Sequence, residues 1–115
     1  MWDVEVTDAF SAWWQTLTEQ EQNDVTAYVE LLQERGANLP YPYSSGIRGS
    51  KLSRLRELRV QSGGNPIRVF YAFDPRRVAI LLIGGKKTGL EKRFYQEYIK
   101  QAETLYEEHL KNLED

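Results

Sequence analysis

The sequence predicts a small α+β fold of order β-α-α-β-β-β-α, in which an antiparallel sheet carries its helices on one face. Three observations predict it. Apolar residues recur at helical spacing between Phe10 and Leu32. Three strand-patterned segments follow between Leu55 and Ile83, separated by short turn sequences. A long amphipathic stretch then runs from Phe94 to Leu113.

Each element has a local reason. Trp2-Asp3-Val4-Glu5-Val6 alternates apolar and polar residues, as a half-buried strand does. Thr7 or Asp8 caps a short helix bearing Phe10, Trp13, Trp14 and Leu17. Thr18-Glu19-Gln20-Glu21 is a capping-box pattern opening a second helix, with Val25, Tyr28, Val29 and Leu32 on one face and Gly36 placed to end it. Leu39 to Gly46 contains two prolines and reads as extended loop. The strands Leu55–Val60, Ile67–Phe73 and Val78–Ile83 form a meander, joined by Ser62-Gly63-Gly64-Asn65-Pro66 and Asp74-Pro75-Arg76-Arg77. The last strand is apolar on both faces, which suits the centre of a sheet. A glycine-punctuated loop, Gly84 to Gly89, leads into the final helix.

Length and composition bound the function. The 115 residues are 41% hydrophobic and 28% charged, enough for a packed core in one domain spanning 1–115. No cysteine is present, which excludes disulfide scaffolds, zinc fingers, iron–sulfur sites and thiol nucleophiles together. The apolar run Val78–Ile83 is far short of the roughly 20 residues of a spanning helix, and the first residues lack the pattern of a secretory signal. The expectation is a soluble cytoplasmic protein with no membrane partner.

The net charge of −2 conceals an uneven distribution. Residues 1–47 carry eight acids and one base, net −7; residues 48–93 carry twelve bases and three acids, net +9; residues 94–115 are net −4. A basic centre between acidic flanks fits either a surface for a polyanion or a salt-bridged face, and the arrangement of the bases must decide. Strand alternation puts Glu57 and Arg59 opposite the face of Arg56, Leu58 and Val60. It also assigns Arg68 to a helix-free side, as an ion-pair partner of Glu57 or as a phosphate ligand. Lys86 and Lys87 follow the last strand; Lys92, Arg93 and Tyr95 begin the final helix, whose N-terminus favours an anion. The glycines of that loop would permit close approach of a ligand to the backbone. No GxxxxGK[ST] is present, which excludes a P-loop.

The segments Leu58-Arg59-Val60, Ile67 to Arg77 and Ile80 to Lys87 resemble the RelE/ParE toxin superfamily, and within it the HigB-like, phage-associated branch. The region of Tyr95 and Tyr106-Glu107-Glu108-His109-Leu110 is similar to that branch as well. The resemblance implies the toxin of a type II toxin–antitoxin pair that cuts messenger RNA on the ribosome. It also implies a cognate antitoxin partner, usually a helix-turn-helix DNA-binding protein, and no direct DNA binding by the toxin. ParE-type relatives inhibit DNA gyrase instead, and a non-catalytic regulatory protein with this fold is a further alternative. The family pattern matches Arg56 or Arg59, Arg68, Lys86 or Lys87, and Tyr95. RelE has an arginine where Lys87 stands, so a point charge replaces a planar fork. Arg68, Lys87, Tyr95 and Lys86 are the candidate catalytic residues, and Arg56, Arg59, Lys51, Arg54, Lys92 and Arg93 the candidate RNA-binding residues.

Neither cofactor nor metal is expected for the implied chemistry, attack of a ribose 2′-hydroxyl on the adjacent phosphate. His109 sits in the apolar stripe of the last helix and reads as structural, leaving Tyr95 or a lysine, with solution pKa values of about 10, as base. Crowding Arg59, Arg68, Lys86 and Lys87 together is expected to lower those values by like-charge repulsion. Trp13 and Trp14 read as packing residues, and Tyr41 and Tyr43 as part of a loop packed on the core.

Overall fold

A computed structural model describes residues 1–114. Strand β1 (Val4–Val6) leads into helices α1 (Asp8–Trp14) and α2 (Glu19–Arg35). Thr7 caps α1 by accepting from the Phe10 amide at 3.0 Å. At the head of α2 the capping box closes in both directions: Thr18 Oγ1 accepts from the Glu21 amide at 3.1 Å, and Glu21 Oε1 accepts from the Thr18 amide at 2.9 Å. Gly36 ends the helix with its amide on Leu32 and a φ of 56°.

The remaining elements are β2 (Ser44–Gly46), β3 (Arg56–Ser62), β4 (Asn65–Phe73), β5 (Ala79–Lys86) and α3 (Glu91–Glu114). Strands β3, β4 and β5 form the expected antiparallel meander. The β3–β4 turn is the pair Gly63-Gly64, with φ of 57° and 84°, values that suit glycine at both centres of a two-residue hairpin loop. Two features of the strand pairing differ from expectation. The sheet order is β1-β5-β4-β3-β2, and β1 pairs parallel to β5, so the sheet is mixed. Residues 44–46, read as loop, pair with β3; a Ser-Ser-Gly segment has no alternation from which to infer a strand.

Helices also cover both faces of the sheet. Leu58, Val60, Ile67, Val69, Tyr71 and Leu81 pack under α1 and α2 with Phe10, Val25 and Leu32. Phe70, Ala72, Ile80 and Leu82 pack under α3 with Phe94, Ile99, Ala102 and Tyr106. Both alternating sets of β4 and β5 are therefore apolar, as a doubly covered sheet requires. Arg68 shares the parity of Phe70 and Ala72, so it lies beneath α3 and not on a helix-free side. Trp13 and Trp14 pack against the core as expected. His109 is structural: Nε2 lies 2.9 Å from Asp74 Oδ2, joining α3 to the β4–β5 turn. No described helix is long and apolar enough to cross a membrane.

Candidate functional site

Glu57, in β3, is the centre of a polar cluster under the first turns of α3. Its side chain is among the few charged ones in the interior, 4% exposed. Oε1 accepts from the Tyr95 hydroxyl at 2.7 Å and lies 3.6 Å from Arg68 Nε. Oε2 accepts from Ser45 Oγ at 2.9 Å and from Arg59 Nη1 at 3.3 Å. The register explains the convergence: Arg59 and Arg68 are directly opposed across β3 and β4. Two like charges in that position repel unless a carboxylate lies between them, and Glu57 supplies it from the same face.

The cluster continues outward. Lys87 Nζ forms an ion pair with Glu91 at 2.8 Å and sits 5.5 Å from the centroid of the Tyr95 ring. The Arg59 guanidinium lies over the Tyr41 ring at 5.2 Å. Glu91 is held below the ordinary carboxylate range, first by its hydrogen bond from Lys87 and at longer range by Arg68 and Arg59. Three cations thus converge on one end of α3.

The Tyr95 phenol is pushed up to about 12, first by burial and then by the Glu57 carboxylate, with Arg68 opposing. The expected lowering by crowded cations is therefore reversed, because the nearest charge to the phenol is negative. The Tyr95 phenol therefore stays protonated near neutral pH and donates its hydrogen bond to Glu57.

The candidate residues separate by strand parity. Lys86 is removed from the site: it lies on the α2 side, 2.9 Å from Glu21 Oε2, because consecutive strand residues face opposite ways. Arg56 is removed for the same reason; it shares a face with Leu58, and its Nε donates to Ser44 Oγ at 3.1 Å. Arg68 is 3% exposed beneath Tyr95, so it braces Glu57 and does not present a guanidinium to solvent. Its Nε is the buried side-chain polar atom left without a hydrogen bond among the described residues. Lys51 pairs with Glu107 at 3.0 Å, away from the cluster, and Arg54 is exposed with no ion pair among the described residues. Lys92 and Arg93 diverge, Lys92 toward a groove shared with Tyr95 and Arg93 toward a separate depression shared with Lys86.

Gly84 and Gly85, read as loop, lie within β5, which runs on to Lys86, and serve packing. A Cβ at Gly84 would collide with Trp13 on one face, and one at Gly85 with Tyr98 on the other, so both helical layers press directly on the β5 backbone. Tyr41, expected to pack inward, is 70% exposed. Sequence reading named Glu57 only as a partner of Arg68; its shared face with Arg59 was the available signal.

Residues 12–107 match the family model described as phage derived protein Gp49-like. The chain belongs to the Gp49-like family. It is similar to HigB toxins: HigB2 of Mycobacterium tuberculosis (strain ATCC 25618 / H37Rv), a candidate toxin, is 38% identical over 99% of the chain. The chain spans 57% of that relative's length. HigB3 of the same organism, also a candidate toxin, is 37% identical over 79% of the chain and 78% of its own length. The fold of this Gp49-like chain is similar to that of free-state Escherichia coli toxin RelE carrying two arginine-to-alanine substitutions. That likeness has a TM-score of 0.62 and 14% identity, and covers 87% of this chain and 96% of the other.

Proposed function

We propose that this chain is the toxin of a type II toxin–antitoxin pair and cuts messenger RNA on the ribosome, in the cytoplasm. Its partner is a cognate antitoxin of helix-turn-helix type. The observation that carries the reading is the convergence of Arg59, Arg68, Lys87 and Tyr95 about the Glu57 carboxylate, from β3, β4, the loop after β5 and α3. A salt-bridged face made for solubility would leave such a cluster exposed, whereas here its centre is buried.

In this mechanism solvent water takes the proton of the attacking 2′-hydroxyl as the oxygen–phosphorus bond forms, because the Glu57 carboxylate is buried with both oxygens engaged. Arg59 and Lys87 balance the charge gathering on the phosphate oxygens, the role in which preorganised cations contribute most. As the bond from phosphorus to the 5′-oxygen breaks, the Lys87 ammonium gives that oxygen a proton. Arg68 and the Tyr95 hydroxyl hold Glu57 in place, and Glu57 in turn holds Arg59 toward the strand. Ribosomal binding supplies alignment of the message, a contribution that alone can be worth several orders of magnitude in rate.

The test is induction in growing bacteria with translation and DNA replication followed separately, then mapping of message ends on ribosomes. Translation stops first, and Glu57→Gln and the pair Arg59→Ala/Lys87→Ala abolish the arrest while the protein still folds. Arrest of replication with intact messages would overturn the nuclease reading in favour of gyrase inhibition.

A further inference from the structure

A groove of about 540 Å³ runs along α3 beside the Glu57 cluster, closed on its other side by the loop through Arg48 and Gly49. Lys92, Tyr95, Ile99, Lys100 and Glu103 line it from the helix, at the i, i+3, i+7, i+8 and i+11 positions of one face. Tyr95 belongs to both places: its hydroxyl is on Glu57 and its ring is in the groove wall.

The groove's charges are unevenly committed. Among the described residues, Arg48, Lys92 and Lys100 appear in no ion pair; several exposed cations elsewhere are also unpaired, but these three share one lining. Glu103, the acid of the lining, is already engaged. Its Oε2 accepts from Ser50 Oγ and from the Lys51 amide, each at 2.8 Å. That carboxylate pins the loop to α3 and so holds Arg48 across from the two lysines. The result is three uncommitted cations around a floor that includes an aromatic ring and the Ile99 side chain. This is what a single-stranded nucleic acid requires: cations for successive phosphates and a flat apolar surface for a base.

We infer that this groove is a second RNA subsite, in which Arg48 and Lys100, together with Lys92, bind the strand flanking the cleaved bond. The inference rests on the nuclease reading and extends it by naming the residues that set how much single strand the protein grips. A base stacked on the Tyr95 ring places the next phosphate toward Lys87 and Arg59.

The experiment uses the full chain and a short fluorescent single-stranded RNA carrying one 2′-deoxy residue, so that it binds without being cut there. Affinity is measured by anisotropy across a salt series for the wild-type chain, for Arg48→Ala/Lys100→Ala, and for a control, Arg35→Ala/Lys111→Ala. The groove variant should bind at least tenfold more weakly, and its slope of log affinity against log salt should fall by about 1.4, or about 0.7 per lost phosphate contact on a single strand. The control should match wild type. If the groove variant keeps the wild-type slope while the wild type binds RNA and arrests translation, the subsite is refuted and the nuclease reading stands. If the wild type neither binds the RNA nor arrests translation, the nuclease reading fails and the subsite with it. Equal binding of single-stranded DNA of the same sequence would overturn RNA as the ligand.

Discussion

The Glu57–Arg68 pair allows a quantitative test of how the cluster is held together. Both side chains are nearly inaccessible, and Arg68 Nε faces Glu57 Oε1 at 3.6 Å without a hydrogen bond of its own. Replacing Glu57 by Gln keeps an acceptor for Tyr95 or Ser45 but leaves Arg68 as an uncompensated buried charge. Breaking a buried pair in this way costs about 3–5 kcal/mol in general; the retained acceptor and the long separation bring the expected loss to about 2–3 kcal/mol. For a domain of this size that lowers the melting temperature by roughly 8–12 °C. Arg68→Met leaves Glu57 with Arg59, Tyr95 and Ser45, so it should cost only about 1 kcal/mol. In the double variant no unpaired buried charge remains, since Arg59 is partly exposed, and its loss should fall short of the sum of the single losses by about 1–2 kcal/mol. Urea unfolding followed by tryptophan fluorescence measures all three. Losses that add to within about 0.5 kcal/mol would refute the claim that these two residues stabilise one another.

Three further outcomes follow from the same geometry. Burial raises the pKa of Asp74, but the hydrogen bonds from His109, Arg76 and the backbone amides of Val78 and Arg76 outweigh it and hold the pKa below the ordinary value. The stability this contributes is present above about pH 4 and is lost as pH falls through the lowered pKa, so Asp74→Asn should flatten the acid limb of a plot of stability against pH. Tyr95, raised to about 12, contributes stability below its unfolded pKa of about 10 that is lost as pH rises toward 12. An ultraviolet titration should lose its most alkaline phenol in Tyr95→Phe, and an unchanged titration would exclude the proposed contact. Gly85→Ala drives a methyl group into the Tyr98 ring and should cost about 1–3 kcal/mol by thermal melting; an unaltered melting curve would show that the ring yields freely.

Much of the architecture is legible in the residues because it is written locally. The Thr18–Glu21 box, the Gly63-Gly64 turn and the period-two pattern of β4 each specify their own element without reference to the rest of the chain. What is not local was not legible. The direction of β1 against β5 depends on how the intervening segments return, and nothing in Val4–Val6 encodes it. An arginine in β4 suggests a helix-free side, but Phe70 and Ala72 share the parity of Arg68 and need the cover that α3 provides. Parity also explains the site: it groups Glu57 with Arg59 and divides Lys86 from Lys87. The reversal of the Tyr95 shift lay outside sequence reasoning, since it depends on the approach of residues 38 positions apart.

Helix α3 performs two tasks at once. Its early turns bring Tyr95 over Glu57, and the turns from Ile99 to Tyr106 cover the apolar side of β4 and β5. Any agent that pries this helix away to disarm the cluster also uncovers Phe70, Ile80 and Leu82, leaving a sticky, aggregation-prone surface. Silencing by leverage therefore demands a replacement cover of similar greasiness, whereas silencing by plugging the charged end does not.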